Sequence, residues 1–155
     1  MQHAALLAQA VIDGLGQQGP PWIVLDVRLV GDATPDAVDL ALVSLHSRTG
    51  PRFAEPAERQ FSVTIGPSGS AVEESVAVYF PLYLPVAEAI VVLASQIQDH
   101  AIETAPSWGL PLPPCPGHSH PLSARIAEGA PVWQCPTSSS HHQEPIVGDV
   151  FLEAY

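Results

Sequence analysis

The stretch Cys115-Pro116-Gly117-His118-Ser119-His120-Pro121, answered downstream by Trp133-Gln134-Cys135-Pro136, constrains this chain more than any other. The two segments hold both cysteines and, with His141 and His142 just beyond, four of the seven histidines. Zinc takes four nitrogen or sulfur ligands in a tetrahedron, and structural sites commonly draw two from a tight turn and two from a distant segment. Cys115 and His118 have the spacing for the turn pair, with Pro116 and Gly117 between them to make the turn, and Cys135 is the third candidate. His120, two residues beyond His118, leads as the fourth ligand, with His141 or His142 as alternatives that spacing alone does not separate. Free thiols among surface histidines and a Cys115–Cys135 disulfide remain open beside the metal reading.

Where the chain resides bears on that choice. The apolar run Ala4 to Ile12 lacks the positive leader of a secretory signal, and the most apolar window, Ala77 to Ala94, is broken by Pro81, Pro85 and Glu88. The expectation is a cytoplasmic protein with no membrane span, whose cysteines are thiols or metal ligands. The structural role for zinc rests on the tail's thin apolar content. With Leu122, Ile126, Val132 and Trp133 to bury, the segment 115–136 is expected to need the metal to offset its ordering entropy, while the body folds on a core of its own.

Everything before the tail reads as an ordinary α+β body within a chain of 155 residues, the usual size for one domain. Leu6, Leu7, Ala10 and Val11 recur at helical spacing, so residues 3–14 are expected to form a short helix stopped near Gly14 and Gly16. In residues 22–30, Ile23, Leu25, Val27 and Leu29 alternate with Asp26 and Arg28, which predicts a half-buried strand with those four apolar residues inward. Residues 35–46 fit a strand, or a helix capped by Thr34 and opened by Pro35; the strand is preferred because sequential strands tend to be neighbours. The segment 47–56, with Arg48 and Arg52, reads as a solvated loop. Phe61, Val63 and Ile65, the turn Gly66–Ser70, and Val76, Val78 and Phe80 predict a hairpin. From Val86 the period changes to that of a long helix, with Ile90, Leu93, Ala94, Ile97 and Ala101 on one face, ended by Pro106. His100 and Glu103 on that helix read as a solvated pair.

The fold expected is therefore a two-layer α+β domain: residues 1–106 form an antiparallel sheet of about four strands covered by a long helix. Residues 107–155 form a proline-rich spacer and a metal-clipped Cys/His tail packed on that body.

Charge narrows the partners. Sixteen acids against five arginines and no lysine give a net charge of −11, and after residue 60 Arg125 is the sole base. Such a surface repels phosphate backbones and anionic lipid, so nucleic acid and membrane are disfavoured and a basic protein partner is favoured. The leading expectation is a non-enzymatic interaction or regulatory module with a structural zinc tail. An acidic inhibitor of a basic enzyme is the first alternative, and an enzyme using Cys115 or Cys135 the second.

For that last class one segment is suggestive. His120-Pro121, then Gly129 and Cys135 after small and apolar residues, resembles the HPN-to-cysteine segment of ubiquitin-conjugating enzymes, with Pro81-x-x-x-Pro85 after a hairpin resembling their proline motif. The resemblance implies a thiol nucleophile. It departs from the family at Leu122, where the family has Asn, in the longer interval from His to Cys, and in the long helix where the family has a strand. No membership is assigned on it.

Overall fold

The computed structural model describes residues 1–16, 19–31, 59–69, 75–104 and 108–148. Helix α1, Gln2–Asp13, buries Ala4, Leu7, Ala8, Val11 and Ile12, the i, i+3, i+4, i+7, i+8 pattern of one face. Leu6, expected on that face, points outward instead. The Gln9 side-chain carbonyl accepts the Val24 backbone N–H at 3.1 Å, which fixes α1 to the strand that follows.

That strand, β1 (Trp22–Val30), pairs antiparallel with β2 (Gln60–Pro67), which pairs in turn with β3 (Val76–Pro81). The β2–β3 hairpin lies where the alternation placed it, with Phe61 opposite Phe80 and the two rings 5.2 Å apart. Val63, Ile65 and Val78 are buried completely, and Val76 packs partly buried against them. In β1 the expected inward face holds at Val27 and is corrected at Ile23, Leu25 and Leu29. Ile23 and Leu25 are 38% and 39% exposed, Leu29 is exposed as well, and Trp22, Val24 and Val27 face the core. The cause is a shift in pairing register between Val24 and Asp26, a bulge that moves the inward phase by one residue. At the start of β1, Trp22 and Val24 interleave with Ile23 and Leu25, so both sets are apolar there, and only Asp26 and Arg28, past the bulge that changes the phase, mark a polar side.

Helix α2, Val86–Glu103, buries Ile90, Leu93, Ala94, Ile97 and Ala101 as its period requires. It is followed by a second antiparallel sheet of β4 (Ser123–Ala127), β5 (Ala130–Gln134) and β6 (Gln143–Pro145). The β4–β5 connection is a two-residue turn in which Glu128 and Gly129 have φ of 51° and 84°. Two positive φ values are what a type I′ hairpin turn needs, and glycine carries one of them without strain.

Among the described residues, three of the strands expected in the body form one antiparallel sheet, β1–β2–β3, and the tail contributes a second sheet of three strands. Residues 35–46, offered above as a strand, lie outside the described residues. Helix α2 packs on β3 of the first sheet and on β4 and β5 of the second. One reason the sheets do not merge is visible at β3, where Gln96 of α2 accepts the Tyr79 N–H and donates to the Tyr79 carbonyl. A helix side chain thus occupies backbone groups that a further strand would need.

The apolar core is continuous through both sheets: Leu112, Leu122, Ala124, Trp133, Ile146 and Val147 belong to the same buried cluster as Val11, Val63, Leu93 and Ile97. The body does not have a core separate from the tail. Ile126, expected inside, is 46% exposed.

Candidate metal centre

The two cysteines lie at the starts of two loops that share a construction. In the first, Pro116 and Gly117 occupy the central positions of a turn closed by the His118 N–H donating to the Cys115 carbonyl at 3.1 Å. Gly117 has φ of +78°, so proline followed by glycine is the type II combination, and a residue with a Cβ would be strained there. The loop is tied at its base by the Cys115 N–H to the His120 carbonyl (3.4 Å), by the Leu122 N–H to the Pro113 carbonyl (2.9 Å) and by an antiparallel bridge between Pro114 and Pro121. In the second loop, between β5 and β6, the Cys135 N–H donates to the His142 carbonyl at 3.0 Å and the His141 N–H to the Ser138 carbonyl at 3.1 Å. Each loop begins Cys-Pro, and each cysteine amide closes its own loop.

The side chains of Cys115, His118, His120 and Cys135 converge between the loops, each offering one donor atom, all within 4.8 Å of one another. His118 Nδ1 lies 3.4 Å from Cys115 Sγ and 3.6 Å from Cys135 Sγ, and His120 Nε2 lies 4.0 Å from Cys135 Sγ. Metal bonds of about 2.3 Å to sulfur and 2.0 to 2.1 Å to nitrogen, at tetrahedral angles, put sulfur and nitrogen about 3.6 Å apart. The spacing of these atoms matches that edge closely enough that small side-chain rotations complete it. Both cysteines are buried, at 3% and 2% exposure, while His118 is exposed and His120 intermediate.

The surroundings orient the donors. His120 Nδ1 lies 3.0 Å from the Pro121 carbonyl, which can only accept, so Nδ1 carries the proton and Nε2 presents a lone pair toward Cys135. His118 lies between two other imidazoles, 4.7 Å from the His120 ring and 4.3 Å from that of His141. His141 Nε2 reaches back to the Pro116 carbonyl at 2.6 Å, linking the second loop to the turn of the first. His142 is engaged by Glu144 at 3.3 Å and lies outside the four-donor group.

The two thiols differ. Burial raises the Cys115 thiol above its ordinary value of 9.0, with a hydrogen bond and charge from Cys135 acting in the same direction. Burial would raise Cys135 too, but hydrogen bonds from the Thr137 hydroxyl, the Ser138 and Thr137 backbone amides and Cys115 outweigh it and draw that thiol down to about 6. Thr137 Oγ1 stands 3.1 Å from Cys135 Sγ. One sulfur is thus prepared as a thiolate, and the other gives up a proton only to a stronger competitor, such as a cation.

Sequence spacing grouped Cys115, His118 and Cys135 and left the fourth place open among His120, His141 and His142; the structure brings His120 into the group. Spacing did not show the Thr137 contact, the His141 contact or the strand β6 that positions the second loop. Thr137 two residues after a cysteine was the available signal for the first.

The body has an apolar cavity of about 140 Å³ lined by residues that include Leu7, Phe61, Phe80 and Val86, with neither cysteine at its wall. Among the described residues, no helix is long and apolar enough to cross a membrane. No protein-family model, no curated protein and no solved structure matches this chain.

Proposed function

We propose that this chain is a non-enzymatic interaction or regulatory module whose C-terminal loops are held by a structural zinc ion on Cys115, His118, His120 and Cys135. The observation that carries the reading is the convergence of two thiols and two imidazole nitrogens at spacings that fit tetrahedral ligation. Four protein donors fill a zinc coordination sphere and leave no position for water or substrate, the pattern of a structural site. Burial of both sulfurs favours the same role, since a catalytic thiol must be reachable. The resemblance to ubiquitin-conjugating enzymes would make Cys135 a nucleophile; its 2% exposure and its place facing two histidines favour a ligand instead.

A protein partner of basic character, no nucleic acid and no membrane complete the proposal, supported by the net charge of −11. A cytoplasmic setting, where thiols stay reduced, goes with the ligand role proposed for the cysteines. The same charge supports a second reading, an acidic inhibitor that binds a basic enzyme, which predicts partner binding weakened steeply by salt.

Elemental analysis of untagged protein, purified without added zinc, tests the main proposal: one zinc per chain is expected in the parent and none after Cys135→Ser. A stoichiometry near zero in fully reduced parent protein, with no uptake of added zinc, would overturn it.

A further inference from the structure

Helix α2 carries a buried amide with an unusual assignment. Gln98 is 8% exposed, and its Nε2 donates to two backbone carbonyls, Leu112 at 2.7 Å and Leu122 at 2.6 Å. Both partners are acceptors, so the nitrogen end of the amide must face them and both of its protons are used. Leu112 and Leu122 are the residues on either side of the loop 113–121, which supplies Cys115, His118 and His120. One side chain on the long helix therefore grips both stems of the loop that holds three of the four donors.

We propose that Gln98 is a positioning residue for the metal centre, coupling occupancy of the site to helix α2. The inference rests on the metal reading above. The separation of the two stems sets where Cys115 and His120 stand relative to each other, because the Cys115 N–H to His120 carbonyl bond and the Pro114–Pro121 bridge lie just above them. When Gln98 cannot donate, two buried carbonyls lose their partners and the stems separate to regain water. The donors then lose the spacing that matches a metal. By reciprocity, a metal that fixes the stems also fixes α2, which packs on both sheets.

Gln96 provides the control. It too lies on α2 and clamps backbone, but at Tyr79 of β3, in the other sheet. Full-length Gln98→Leu, Gln98→Glu and Gln96→Leu variants are titrated with Co²⁺, read by its visible ligand-field and thiolate absorption and then by competition with Zn²⁺. Expected is a loss of about tenfold to a hundredfold in metal affinity for both Gln98 variants, the range for groups that orient ligands. Gln98→Glu is expected to be at least as weak as Gln98→Leu, because a carboxylate faces two carbonyls with no proton to offer. Gln96→Leu is expected to bind within about threefold of the parent.

A readout independent of metal accompanies this. In chelator-treated protein, hydrogen exchange at the Leu122 and Cys115 amides should quicken in Gln98→Leu and not in Gln96→Leu. Parent-like metal affinity in Gln98→Leu, or an equal loss in Gln96→Leu, overturns the positioning role while leaving the metal site standing. A parent protein that binds no Co²⁺ overturns both. Should Gln98→Leu fail to fold, Gln98→Met, an unbranched side chain of similar length with no donor, is read by the same criteria.

Discussion

Ile97 and Ile126 are the same residue type in opposite circumstances, and replacing each with alanine tests how the two sheets share a core. Ile97 is 0% exposed on the face of α2 that belongs to the common cluster; Ile126 is 46% exposed on β4. Truncating a buried isoleucine costs about 2–5 kcal/mol, and the upper half applies where the surroundings cannot collapse into the space. Helix α2 is packed on one sheet and on the other, so inward relaxation at Ile97 is opposed from both directions, and about 4 kcal/mol is expected. For a chain of this length that corresponds to a fall in Tm of about 8–16 °C. Ile126→Ala loses only strand propensity and a little packing, under about 1 kcal/mol, and should melt within about 4 °C of the parent. Both variants are melted by circular dichroism with saturating zinc and again with chelator, because a bound ligand adds its own stabilisation. An Ile97→Ala protein melting within about 4 °C of the parent in both conditions would refute the shared core.

Further outcomes are expected from the rest of the structure. Ile97→Asp should fail to fold, since an unpaired carboxylate in that position adds a desolvation cost to the lost packing, and soluble, cooperatively melting protein would contradict this. Ile23→Thr should shift Tm by less than about 4 °C, whereas Val24→Asp, on the inward side of the bulge, should lower it severely; a reversal would return β1 to the alternation read from sequence. Trp133→Phe should cost under about 1.5 kcal/mol by denaturant melt, because the buried indole N–H has no hydrogen-bond partner among the described residues, while Trp133→Ala should cost about 3–5 kcal/mol. Metal affinity should fall with acidification. Between about pH 6 and the raised value of Cys115 the thiols release one proton per metal, and below about 6 Cys135 adds a second, so competition titrations should show the pH slope steepen near 6. The protein should pass unretained over a nucleic-acid column at moderate salt, and retention would defeat the charge argument.

Much of the fold was legible because its elements obey one period each. Residues 86–103 place Ile90, Leu93, Ala94, Ile97 and Ala101 on one helical stripe, and residues 60–81 alternate on either side of a turn, so neither assignment needed tertiary context. β1 was legible as a strand but not by face, because a bulge is decided by pairing partners rather than by the strand itself. The division into two sheets was hidden for a related reason. Gln9, Gln96 and Gln98 look like polar surface in a helical pattern, yet each bonds backbone of another segment, and these contacts set where α1 and α2 meet the sheets. A glutamine that clamps backbone and one that faces water have the same sequence signature.

The Cys/His group was legible, save the choice of its fourth member, because cysteine and histidine are rare enough for their spacing to carry information, but how much of the tail a metal there would have to hold was not. Reading the tail as a thinly apolar segment made all of 115–136 depend on the ion. In the structure, Leu122, Ala124, Val132 and Trp133 of the β4–β5 hairpin are buried, and Gln98 holds its base. The two loops are different: Pro114, Pro116, Gly117, His118 and Ser119 are exposed in one, and residues 136–141 in the other, with Cys115 and Cys135 as the buried residues at their starts. Ordering a residue costs about 1–2 kcal/mol of backbone entropy, and exposed loop residues bury little to offset it. The contribution of a metal bound at this group would therefore fall on the loops. Chelation should open 114–120 and 136–141 to protease while the β4–β5 strands stay protected, and first cleavage within 123–134 would show that the hairpin, too, depends on the ion.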